Sequence, residues 1–138
     1  MQLAWLGLAP DFKETYGLRG LSFYGLGDFK GARASCEIKR DDLASQQCLA
    51  VMYDKLGRHA DAEAELAKMK AAMGDAPGFL YATIYSQWGN TAKALEWLAT
   101  AMRLRDSGLV FLKTDPLMDP LRKEPRFQAI ERALKFPD

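Results

Sequence analysis

The chain has 138 residues, 49% of them hydrophobic and 27% charged, with a formal net charge of +1. That size and balance fit a single globular domain able to bury a core, and they exclude a global electrostatic footprint for nucleic acid. No apolar run approaches the ~20 residues that span a bilayer. The opening MQLAWLGLAP is apolar but lacks the basic start and small-residue cleavage site of a signal peptide, so it reads as helix and a cytoplasmic location is expected. Two cysteines, Cys36 and Cys48, are too few for a disulfide framework. Both fall in helical patterns, where buried free thiols are expected, a bridge between neighbouring helices being the alternative.

From there the chain repeats itself. YGLRGLSFYGLGDFKGARASC, QQCLAVMYDKLGRHADAEAEL and GFLYATIYSQWGNTAKALEWL align on Gly27, Gly57 and Gly89, spaced 30 and 32 residues apart. An aromatic stands four residues before each glycine (Phe23, Tyr53, Tyr85) and a very small residue seven before (Gly20, Ala50, Ala82). Alanine follows five after (Ala32, Ala62, Ala94), then Cys36, Leu66 and Leu98 nine after. The small residue and the aromatic share one face of a first helix at i, i+3 spacing. The glycine ends that helix in a left-handed conformation that needs no Cβ. The alanine lets a second helix pack close. The pattern predicts a helix–turn–helix hairpin over 13–43, again over 44–75, and again over 76–106.

These columns resemble the tetratricopeptide family, with its 34-residue period and W-x2-L-G-x2-Y…A-x3-F…A…P pattern. The repeats read Tyr16, Gly20, Phe23, Gly27, Phe29, Ala32, Cys36; then Leu49, Ala50, Tyr53, Gly57, Ala62, Leu66, Met69; then Tyr81, Ala82, Tyr85, Gly89, Ala94, Leu98, Ala101. The tryptophan slot holds Tyr16, Gln46 and Gly78, and the closing proline is absent or displaced. Pro10 stands 34 residues before Ala44, so residues 1–10 read as the second helix of a truncated earlier repeat. The chain is accordingly expected to be the C-terminal piece of a longer protein. The resemblance implies an all-α, right-handed superhelical solenoid of antiparallel hairpins, whose stacking buries what one hairpin cannot.

It also implies a concave surface, lined by first helices, that binds peptides or helices of other proteins. The slots facing it would be Glu14, Gly17, Leu18, Leu21 and Tyr24; Gln47, Cys48, Val51, Asp54 and Lys55; and Phe79, Leu80, Thr83, Ser86 and Gln87. Family members that grip chaperone C-termini use a Lys/Asn/Arg carboxylate clamp; here Gly17 and Leu21 stand in the lysine and asparagine slots. Leu18, Leu21, Val51 and Leu80 either line the groove or form core between hairpins. Trp5, Trp88 and Trp97 read as packing residues.

Chemistry is hard to find. The single histidine, His59, falls in a turn and reads as solvated, and Asp61, Glu63 and Glu65 read as the exposed side of a second helix. No phosphate loop, metal-spaced Cys/His set or nucleophile–base cluster is present. No enzyme activity, metal or cofactor is expected. Residues 107–138 leave the hairpin columns. Asp106-Ser107-Gly108 reads as the end of the third hairpin, LVFLK as a short packed segment, Asp119-Pro120 as the start of a turn over PLRK, and Glu124-Pro125 as the start of an amphipathic last helix with Phe127, Ile130 and Leu134 inward. This is an end cap for a repeat array. It resembles a recurring ending of bacterial tetratricopeptide regions, which implies a regulatory or scaffold context with an upstream DNA-binding, kinase or cyclase domain. Binding of a protein partner is the expected function. Ligand sensing that controls an attached effector, or self-association, are the rivals.

Overall fold

A computed structural model describes residues 15–135. Among these residues there are helices and turns and no strand. The described residues divide into two compact units between residues 72 and 73. The helix read over residues 1–10, with Trp5 and Glu14, lies outside the described residues.

The first unit holds α1 (Thr15–Gly25), α2 (Phe29–Cys36), α3 (Leu43–Lys55) and α4 (His59–Met73), the last reaching the unit's edge. The second holds α5 (Gly78–Gln87), α6 (Thr91–Leu104), two 3-10 helices, η1 (Ser107–Phe111) and η2 (Pro116–Leu121), and α7 (Pro125–Leu134). The three anchor glycines do what their spacing predicts. Gly27, Gly57 and Gly89 have φ of +81, +79 and +79°. At each, the next residue's N–H reaches back to the aromatic's carbonyl: Asp28 to Phe23 (2.9 Å), Arg58 to Tyr53 (2.8 Å), Asn90 to Tyr85 (2.9 Å). The glycine's own N–H bonds Tyr24, Asp54 or Ser86 at 3.0–3.1 Å. This is one Schellman turn made three times. The residue after the glycine then opens the next helix. Asp28 accepts from Gly31 N–H at 2.9 Å and Asn90 from Lys93 N–H at 3.2 Å, satisfying amide groups that a helix start leaves unpaired. Arg58 cannot cap; it pairs with Asp61 at 2.7 Å and lies 4.5 Å over the Tyr53 ring.

The alanine columns are fully buried, and so are Cys36 and Leu98, with Leu66 at 2% exposure. A Cβ on Gly17 would stand 2.5 Å from the backbone of Ala44 and Ser45, so α1 and α3 meet backbone to backbone there. Cys36 and Cys48 are joined as a disulfide, Cα to Cα 6.2 Å, which corrects the expectation of free thiols. Gly20 makes the room: a Cβ there would strike the Cys36 sulfur and lie 2.8 Å from that of Cys48. Glu65 is also corrected. It is 3% exposed rather than solvated, held by Arg40 (3.4 Å) and Lys68 (3.3 Å). Arg40 further contacts Glu37 (3.0 Å) and the Tyr53 hydroxyl (3.4 Å), which ties the 37–42 turn to α3 and α4. The requirement that a buried charge be paired explains the cluster.

In the second unit α6 does not run to Gly108. It ends at Leu104, with Arg105 left-handed at φ 56° and Asp106 N–H bonded to Ala101 at 2.9 Å. Asp106 instead caps two helices. Its carboxylate accepts from Gly108 N–H (3.0 Å) at the start of η1 and from Phe79 N–H (2.8 Å) at the start of α5, where Pro77 has no side chain able to cap. Gly108 lies against the Phe79 ring, where a Cβ would sit 3.1 Å away.

The tail partly departs from its expected breaks. LVFLK contributes to η1, which begins earlier, at Ser107. Asp115-Pro116, not Asp119-Pro120, opens η2, and Asp115 accepts from Leu117 N–H at 2.9 Å. Pro120 lies inside η2. Having no N–H, it cannot close the i→i+3 bond to Leu117. The Leu117 carbonyl is taken instead by the Ser86 hydroxyl (2.8 Å) and the Gln87 amide (2.9 Å) of α5. Glu124 does precede Pro125 at the start of α7, without a side-chain capping bond. Arg122 knits the tail, donating to the carbonyls of Leu112 (3.4 Å) and Asp115 (2.9 Å) and to Asp119 (2.8 Å), with its guanidinium 5.8 Å over the Phe127 ring. Leu109, Leu112, Leu117, Met118, Leu121 and Phe127 are buried, and at about 1.5–3 kcal/mol for each large apolar side chain the tail is part of the unit's core.

Candidate functional site

The ten candidate groove residues divide between the units. In the first, Leu18 and Leu21 on α1 are half-buried, at helical i, i+3 spacing. Tyr24, one turn on, is buried and packs on Phe29, ring centroids 5.5 Å apart. Its hydroxyl is pushed well above the usual tyrosine range, first by burial and then by the Asp54 charge. On α3, Gln47 is 8% exposed and Val51 fully buried, so Val51 is core.

Asp54 is half-buried and engaged, its carboxylate 2.7 Å from His59 Nδ1. His59 Nε2 lies 3.1 Å from Glu63. The histidine is therefore not simply solvated. The Asp54 hydrogen bond, helped by Glu63, raises its pKa above the ordinary value. The first unit thus offers two half-open leucines on α1 and an acid–imidazole–acid rim whose Asp54 charge reaches Tyr24.

In the second unit most of the slots are covered, Leu80 remaining half-buried. Phe79, Thr83 and Ser86 are buried and Gln87 is half-buried. Phe79 carries Gly108, Thr83 donates to its own helix at Leu80 O (2.6 Å), and Ser86 with Gln87 holds Leu117. Both η1 and η2 lie on α5. The tail occupies this face. Trp88 packs edge-on to Tyr85 (5.3 Å) and Trp97 to Tyr81 (4.9 Å).

Two carboxylates of the tail, Asp115 and Asp119, are structural. Burial pushes the Asp115 pKa up, against the opposing pull of the Leu117 amide and Arg122. Asp119 is engaged with Arg122. Among the described residues no group of three or more His, Cys, Asp or Glu could hold a metal ion, and no helix is long and apolar enough to cross a membrane. A separate apolar hollow of about 260 Å³ opens between α1 and α2, lined by Arg19, Phe23, Gly31, Ala34, Ser35 and Ile38.

Sequence reasoning misses Asp106, Arg122 and the Glu65 pairing. Each role depends on a partner brought near only by folding, and acidic or basic residues carry no periodic signal of their own.

Residues 79–107 match the family model of the tetratricopeptide repeat. No curated protein and no solved structure matches the chain.

Proposed function

We propose that this chain, whose residues 79–107 match the tetratricopeptide repeat, is a protein-interaction module that holds a peptide or helix of a partner protein on the first unit, against Leu18 and Leu21 with Tyr24 and Asp54 at the rim. The observation that carries this reading is the contrast between the units. The tail already lies on the α5 slots, while the α1 leucines keep part of their surface open. Half-open leucines at i, i+3 suit an amphipathic helix laid along them.

The partner chemistry is apolar with a polar end, not a chaperone C-terminal carboxylate. Gly17, in the clamp lysine slot, abuts the α3 backbone and has no room for a side chain, and Leu21 offers no amide in the asparagine slot. Binding in this reading needs no cofactor and performs no catalysis. With a net charge of +1, nucleic acid is not the partner. Self-association is the second reading, favoured by Val110 and Phe111, adjacent on η1 and 65% and 59% exposed. Selection of peptides from a random library against the full chain, followed by calorimetric titration, tests the first reading. Enriched apolar, helix-forming peptides are expected. No enrichment, together with a concentration-dependent dimer in sedimentation, transfers the function to the second.

A further inference from the structure

We propose that the Cys36–Cys48 bridge is a redox staple for the first unit. Oxidised, it fixes α2 to α3; reduced, it lets α2 loosen and with it the α1 face that the interaction reading uses, on which this inference therefore rests.

The first hairpin departs from the other two at a core position. Nine residues after the anchor glycine, α4 buries Leu66 and α6 buries Leu98, whereas α2 has Cys36. The inward residues of α2 are Ala32, Ser35 and Cys36. An eight-residue helix is too short to persist without tertiary support, and these small side chains supply little apolar burial. The supports of α2 are the Asp28 cap, the Phe29 ring on Tyr24, the Ser35 hydroxyl on Tyr16 O at 2.8 Å, its contact with α1, and the covalent bond. Gly20 belongs to the same device. The other hairpins place Ala50 and Ala82 in that column, but only glycine leaves space for both sulfurs. Cys36, Cys48 and Gly20 together replace a leucine contact with a bond whose presence depends on redox poise.

The chemistry is thiol–disulfide exchange with a small disulfide such as oxidised glutathione. One cysteine thiolate attacks a glutathione sulfur, releasing one glutathione thiol and forming a mixed disulfide. The second thiolate then displaces the other. Two protein thiols and one glutathione disulfide become the bridge and two glutathione thiols, which carry the protons. Both cysteines are fully buried, so exchange waits on local opening of α2. An oxidising compartment keeps the staple closed; in the cytoplasm expected from the sequence, the released form becomes accessible.

Hydrogen exchange on the full chain tests this, comparing protein equilibrated with oxidised glutathione to the same protein reduced by a phosphine. Thiol titration in denaturant should find no free thiol in the first sample. Reduction should raise exchange at least tenfold across residues 15–36 and leave 78–134 unchanged, and reoxidation should restore protection. The double variant Cys36→Ala/Cys48→Ala should match the reduced pattern. Two free thiols after glutathione equilibration, equal protection of residues 15–36 in both states, or loss of protection over 78–134 as well, would each overturn the proposal. None of these readouts involves a partner, so failure of the binding reading leaves a distinct signature.

Discussion

His59 shows how a residue's role changes once folding gives it neighbours. In sequence it is a turn residue with nothing to mark it; in the fold its two ring nitrogens meet Asp54 and Glu63, acids five residues before and four after. Only the second is a helix-face neighbour legible from spacing. Because the folded pKa is raised above the ordinary value, the protonated ring stabilises the first unit. That contribution is fully present below the unfolded histidine pKa, near 6.5, and is lost as pH rises through the raised folded value. The side chain is 53% exposed, so solvent screens the pair and the effect is small. His59→Ala should lower the melting temperature at pH 5.5 and change it less at pH 9. An equal loss at both values would show that the ring acts by packing rather than charge. The anchor glycines are the opposite case. Gly27, Gly57 and Gly89 are legible because a positive φ admits few other residues, and the structure makes the same turn at each.

At the scale of elements, the hairpin helices emerge from periodicity and the tail does not. Three X-Pro steps mark possible starts, but proline is compatible both with opening a helix and with lying in a short 3-10 run. Which one occurs depends on where the Leu117 carbonyl finds a donor, and Ser86 and Gln87 lie thirty-odd residues upstream. Replacing both (Ser86→Ala with Gln87→Ala) strips that carbonyl of its side-chain donors, at a cost of about 1–3 kcal/mol, with η2 protection lost first in hydrogen exchange. Undiminished stability would mean that the tail is held by apolar burial alone. The end of α6 is hidden from the sequence for a related reason. A glycine at 108 invites a helix stop there, but the left-handed residue is Arg105. Since a side chain in that conformation costs about 1–2 kcal/mol relative to glycine, Arg105→Gly should stabilise the second unit by roughly 0.5–1 kcal/mol, measured as an upward shift in denaturation midpoint. A downward shift would indicate that the arginine side chain makes a contact worth more than the strain.

At the scale of the molecule, the all-α class and the repeated turn are readable from sequence. The distribution of binding slots between the units is not. Four of the ten candidate positions, Phe79, Thr83, Ser86 and Gln87, rest on analogy of column with the α1 and α3 slots, and column position carries no information about the chain beyond the last repeat. The chain from Asp106 onward covers Phe79, Ser86 and Gln87, through Asp106, Gly108 and Leu117. Val51 illustrates the other limit, since an apolar residue on a first helix satisfies a groove and a core equally well until its burial is known. The interaction reading therefore turns on Leu18 and Leu21. The most direct measurement is calorimetric titration of a library-selected peptide into the wild-type chain and into Leu18→Ala/Leu21→Ala. Binding by the variant should be at least tenfold weaker, a loss of about 1.4 kcal/mol or more, with its helical circular dichroism intact. Unchanged affinity in a folded variant would contradict the interaction reading and move the partner off α1.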